Sequence, residues 1–149
     1  MYTNILLSTD GTVASEQAES HAIELAAAHD ADLHVLYVVD QEVVTAYSGD
    51  EYVDEAEGPA HGLEEHGEDT ISALRSQASE HGVSVVDAIK HGRPAETIIE
   101  HADDTEADLI VLGTKRQPEE YRALLGSVTD RVLRLATHPT TVVKTESNQ

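Results

Sequence analysis

Cysteine is absent from the 149 residues, which excludes disulfide scaffolds, cysteine-ligated zinc and thiol nucleophiles. Phenylalanine and tryptophan are missing as well and methionine occurs once, so Ile, Val, Leu and Ala must build the core, with five Tyr in support. Bases are scarce: nine Lys and Arg stand against 29 Asp and Glu, a formal net charge of −20. Such a field repels nucleic acid and anionic membrane surfaces, and neither is expected as a partner. No apolar run approaches the roughly 20 residues of a membrane-spanning helix. Met1-Tyr2-Thr3-Asn4 has neither the basic start nor the cleavage pattern of a secretory leader. The expectation is a cytoplasmic protein. Only three lysines (Lys90, Lys115, Lys144) among so many carboxylates point to a surface kept soluble in concentrated salt, hence to a halophilic setting.

What is present is a regular alternation of strand and helix. Short apolar runs at Ile5–Thr9, Leu33–Val39, Val83–Ile89, Asp108–Leu112 and Thr140–Val143 read as strands. The second is apolar almost throughout, as suits a parallel strand buried on both faces. Between them, Ala14, Ala18, Ala22, Leu25 and Ala26 fall at helical spacing. So do Leu63, Ile71, Leu74 and Ala78, stopped by Gly82; Ala95, Ile98, Ile99 and Ala102, opened by Pro94; and Val128, Val132, Leu135 and Ala136. Residues 41–62 break the rhythm with Gly49, Gly58, Pro59, Gly62, six acids and no Lys or Arg, the pattern of a long loop.

Five strands alternating with four helices predict a single α/β domain over 1–149, a doubly wound parallel sheet with helices on both faces. Ligands of such sheets sit beyond the strands' carboxyl ends, where the strand order reverses. That rule directs attention to Asp10, Val38–Asp40, His91–Arg93 and the segment from Gly113 onward. Gly113 to Arg134 holds Lys115, Arg116, Arg122, Arg131 and Arg134 against Glu119, Glu120 and Asp130, a local +2 in a chain of −20. Gly126-Ser127 precedes a helix, whose first N–H groups favour anions. The plain alternative is a capping box, Ser127 as N-cap with Asp130 reaching back. Asp10 suits ribose hydroxyls, or an Asx-turn with Gly11 and Thr12.

Ile5-Leu6-Leu7-Ser8-Thr9-Asp10-Gly11-Thr12, Leu36-Tyr37-Val38-Val39-Asp40, Gly92-Arg93-Pro94-Ala95 and Gly113 to Val128, in that order, resemble the universal stress protein family over essentially the whole chain. Its nucleotide-binding members share Gly-x2-Gly-x9-Gly-Ser/Thr. Gly113 and Gly126-Ser127 stand at the right separation, and Arg116 replaces the second glycine. The resemblance implies a Rossmann-like, adenine nucleotide alpha hydrolase-like fold and a stress-response sensor or switch that binds ATP, with Mg²⁺, or a related adenine nucleotide. It assigns Ser8 to the base pocket, Asp10 to ribose and the Val38 backbone to adenine. Gly113, Gly126, Ser127 and Val128 fall to the phosphates. Arg116 either holds a phosphate by its charge or fills the site. The family also implies a homodimer through the last strand, here Thr141, Val142, Val143 and Lys144. The alternative of another class is a dimeric interaction scaffold without nucleotide.

The nine histidines form no recognisable metal signature. His21, His29, His61, His66, His81 and His101 read as surface groups, and His34 and His91 as structural polar ones. No nucleophile elbow, Walker-type Gly-Lys-Ser/Thr or Gly-x-Gly-x-x-Gly is present. A dedicated enzyme is not expected; at most, ATP hydrolysis would be slow.

Overall fold

The computed structural model describes residues 1–41, 59–116 and 126–146. Five parallel strands form one sheet: β1 Asn4–Ser8, β2 Asp32–Asp40, β3 Val85–Gly92, β4 Leu109–Arg116 and β5 Thr140–Glu146, in the order β3-β2-β1-β4-β5. Among the described residues, helices α1 Val13–His29, α2 Pro59–Glu80, α3 Pro94–Asp104 and α4 Ser127–Leu135 flank the sheet. This is the α/β doubly wound fold expected.

The centre of the sheet is apolar on both sides because helices cover both. Ile5, Leu6 and Leu7 are consecutive and all fully buried. Ile5 and Leu7 join Leu33, Val35, Tyr37, Val39 and Val111 under α1 and α2. Leu6 joins Leu36, Ile110 and Leu112 under α3 and α4. Helix α1 presents Ala18, Ala22 and Ala26 to the sheet, small residues that let its axis lie close to the strands. It ends at Asp30 in the left-handed region (φ 53), whose N–H bonds the carbonyls of Ala26 and Ala27. Pro94 opens α3, where its missing N–H costs nothing.

Several elements differ from the periodicity. Strand β4 does not stop at Gly113 but runs to Arg116, because β5 pairs with it as far as Glu146. Helix α2 starts at Pro59, so residues 59–62 of the expected loop are helical, and the remainder of that loop from 42 lies outside the described residues. In α4 only Val132 is fully buried among the apolar residues, with Val128 and Ala136 packed beside it, whereas Leu135 is exposed. That helix is nine residues long and ends at Leu135, so Ala136 falls just beyond it. His101 is buried rather than on the surface, since it falls one turn beyond Ile98 on the inner face of α3.

Candidate functional site

Unequal strand lengths make a notch at the carboxyl end of the sheet. Strand β1 ends at Ser8, paired with Leu36, and the Thr9 N–H extends the ladder to the Leu36 carbonyl before the chain turns away. Strand β2 continues four residues past Leu36 to Asp40. Leu7 pairs with Val111, so β4 likewise runs on to Arg116. At about 3.3 Å per residue, four residues of overhang on each side give a notch roughly 13 Å deep. It opens where the order reverses, between a chain that stepped from β1 to β2 to β3 and then crossed to β4.

Asp10 stands at the floor of this notch. Its Oδ1 accepts three hydrogen bonds: from the Thr12 N–H at 2.9 Å, the Thr12 hydroxyl at 2.6 Å and the Ser15 hydroxyl at 3.0 Å. The Asx-turn is therefore real, and it leaves Oδ2 outside these bonds. Thr9 is buried beneath it, its hydroxyl donating to Glu19 Oε2 at 2.6 Å and accepting the Gly11 N–H at 3.0 Å. Burial raises the Glu19 carboxyl, the Thr9 hydroxyl partly offsets this, and Glu16 and Asp10 add repulsion. Ser8, half-buried, ends β1, and half-buried Val38 lies in the β2 overhang opposite Lys90.

Gly113 is required by packing. A Cβ there would lie 2.4 Å from the Ala14 carbonyl oxygen and 3.0 Å from Ser15 Cα, so only glycine lets α1 cross β4 at this height. Its carbonyl oxygen accepts the hydroxyl of buried Thr129 at 3.3 Å, which ties α4 to the same point. The glycine that the resemblance assigns to the phosphates thus already has a structural duty.

Gly126 has a different character. It is the N-cap of α4 at φ 77 and ψ 154, a conformation costly for other residues, and among the described residues no atom lies within 4 Å of where a side chain would project. Gly126 as N-cap has no side chain to offer α4, and Ser127 is its first helical residue, which corrects the capping box. The N–H of Asp130 bonds the Gly126 carbonyl, and its carboxylate pairs with Arg134 at 3.1 Å. The caps of α1 and α3, Thr12 and Arg93, also lack side-chain cap bonds, so three helices bring uncapped N-termini to the notch end of the sheet.

The charge reversal of 113–134 is weaker than its sequence suggests. Arg131 forms a two-pronged pair with Glu96, 3.0 Å at Nη2 and 3.3 Å at Nε, and Arg134 pairs with Asp130. The Arg131 guanidinium, then the helix backbone, holds the Glu96 carboxyl below its usual range. Arg116 pairs by backbone with Glu146, while its side chain, that of Lys115 and all of 117–125 lie outside the described residues. Val128 packs partly against the core beside Val132. Among the described residues, no three His, Asp or Glu side chains are grouped as metal ligands.

Two histidine roles escaped the sequence. His66 Nε2 lies 3.1 Å from the Asp10 carbonyl oxygen, a contact across 56 residues that no local pattern announces. His91 pairs with Glu64 at 2.6 Å on the surface. His34 Nε2 meets Asn4 Oδ1 at 3.2 Å as a structural group should, although its buried Nδ1 has no hydrogen-bond partner among the described residues.

No described helix is long and apolar enough to cross a membrane. Comparison with known proteins adds the following. The chain is 37% identical over 144 residues to the universal stress protein MJ0531 of Methanocaldococcus jannaschii, covering 97% of this chain and 83% of that protein. The structure of MJ0577, from the same organism, superposes with a TM-score of 0.80 at 26% identity over 99% of both chains. A universal stress protein of Archaeoglobus fulgidus shares the fold at a TM-score of 0.68 and 20% identity, over 96% of this chain and 98% of that one. The model of the universal stress protein family matches residues 1–144, so this chain belongs to the universal stress protein family.

Proposed function

We propose that the notch between β2 and β4 binds an adenine nucleotide, with ATP carrying its own Mg²⁺ as the preferred ligand, and that occupancy sets the state of a sensor or switch rather than feeding rapid turnover. The observation that carries this reading is Gly126: a glycine at positive φ that opens helix α4, with no atom of the described residues within 4 Å of where a side chain would project. The N–H groups of Ser127 and Val128 would meet phosphate there. Asp10 Oδ2 would accept from ribose, and the Val38 backbone with Ser8 would take the base. The A. fulgidus protein was solved in complex with dAMP; at 20% identity that likeness is one of fold, and the weight rests on this chain's own residues. The test is calorimetric titration of ATP with Mg²⁺, and of AMP alongside, into the protein in molar KCl. ATP tighter than AMP is expected, and absence of heat from either in a cooperatively folded sample would sink the reading.

The arginine at position 116 favours a second reading, a scaffold that has lost its ligand. Arg116→Gly separates the two: gained affinity means the arginine filled the site, and lost affinity means its charge held phosphate. In either reading the molecule pairs with a second copy through Thr141, Val142, Val143 and Lys144 on the outer edge of β5. A halophilic cytoplasm fits the charge of −20, and cooperativity of melting that grows with KCl is the expected sign.

A further inference from the structure

The turn that presents Asp10 is held from two sides, and only one of them is local. From α1 come the hydroxyls of Thr12 and Ser15, both on the carboxylate. From α2 come His66 and Thr70. His66 Nε2 is 3.1 Å from the Asp10 carbonyl oxygen, and a Cβ on Gly11 would lie 2.5 Å from both His66 Nε2 and Thr70 Oγ1. Helix α2 comes this close because Gly67 passes over the ring of Tyr37, where a Cβ would lie 2.7 Å from Cδ1. A glycine inside a helix is less favourable than alanine, so the close approach has to offset that loss. The His66 ring stands edge-on to buried Tyr37, with centroids 5.8 Å apart at 72°, which fixes its plane.

We propose that His66 is a positioning residue for nucleotide binding: its Nε2–H donates to the Asp10 carbonyl and braces the Asp10–Gly11 turn on α2, so that the carboxylate meets a ribose from a fixed peptide. A carbonyl oxygen only accepts, so the proton must sit on Nε2. The inference rests on the nucleotide reading above, and its test separates the two. Long-range ¹H–¹⁵N NMR on the full chain reads the tautomer of neutral His66. The Nε2–H form is expected, and the Nδ1–H form overturns the brace whether or not any nucleotide binds.

Two variants then divide donor from ring. His66→Gln keeps a donor near the Nε2 position, and His66→Phe keeps the ring against Tyr37 without the donor. Titrated with ATP and with AMP, His66→Gln should match the wild type within about twofold, and His66→Phe should bind about three- to tenfold more weakly, the span of one hydrogen bond. Equal affinity in His66→Phe, or equal loss in both variants, overturns the proposal. Wild-type protein that binds neither nucleotide defeats the nucleotide reading. The brace is then decided by amide exchange at Gly11 and Thr12, faster in His66→Phe than in His66→Gln if it exists and equal in both if it does not.

Discussion

The two edges of the sheet are finished in opposite ways. Strand β3 is tied down on both faces. Arg75 of α2 donates to the Val85 carbonyl at 3.2 Å and to the Asp87 carboxylate, His91 pairs with Glu64 of α2, and Lys90 lies 3.9 Å from Asp104 of α3. The Leu33 N–H bonds the Ser84 carbonyl, so alternation turns the Val85 carbonyl toward the free side, where Arg75 occupies it. Strand β5 has no such cover: among the described residues, no ion pair involves Thr140 to Lys144. The Ile110 N–H bonds the Pro139 carbonyl, so Val142 and Lys144 turn their own backbone groups away from β4. A sheet blocked at one edge and open at the other would direct pairing to a single side, as the β5 dimer proposed above requires.

The sharpest way to break that comparison is Val142→Pro. It removes an outward N–H while sparing the ladder to β4, since proline is tolerated on an edge when its nitrogen faces away from the sheet. Light scattering should show a dimer for the wild type and a monomer for the variant; a wild-type monomer would remove the β5 interface. Arg75→Ala tests the other edge. Both partners of that pair are about half exposed, at 51% and 42%, so the expected loss is only about 0.5–1 kcal/mol in urea unfolding. Species larger than the dimer should also appear as the Val85 carbonyl is uncovered. Molar KCl should shrink the stability difference by screening and leave the effect of Val142→Pro intact.

The smallest effect sits just inside β3. Burial lowers the proton affinity of His101, and Lys90 on the edge strand lowers it further, with His34 adding to both. Burial does the same to His34, against a small opposing pull from Asp32. Below the ordinary histidine value of 6.5 the unfolded chain binds protons that these folded rings refuse. Stability is therefore greatest above that pH and declines as pH falls through it toward the lowered folded values. Lys90→Gln removes one cause and brings folded His101 nearer to its unfolded affinity. The loss of melting temperature between pH 7 and 5 should become shallower, by about 1–2 °C. An unchanged slope would mean that the edge lysine does not act on His101.

Much of this architecture was legible because burial on two faces leaves a plain trace. Leu33 to Val39 is apolar almost without interruption, and Ile5-Leu6-Leu7 could only be a central strand. Where pairing is not accompanied by apolar burial, the trace disappears. Thr114, Lys115 and Arg116 extend β4 because Lys144, Thr145 and Glu146 extend β5 beside them, and neither stretch carries the composition of a strand. Asp10 and Gly126 could be named as candidates from the sequence because a turn acid and a glycine before a helix are local signals. His66 was missed because its partner lies 56 residues away and its contact depends on Gly67 clearing Tyr37. The charge surplus misled, since Glu96, outside the window counted, neutralises Arg131.

Gly113 bears on how such sequences are read. It sits where α1, β4 and Thr129 of α4 converge, with no room for a methyl group. A relative that had given up nucleotides altogether would still need glycine at this crossing to keep its first helix on the sheet. The first glycine of the motif is therefore held by packing in this fold, and the positions that would separate the two readings proposed above lie farther along, at 116 and 126.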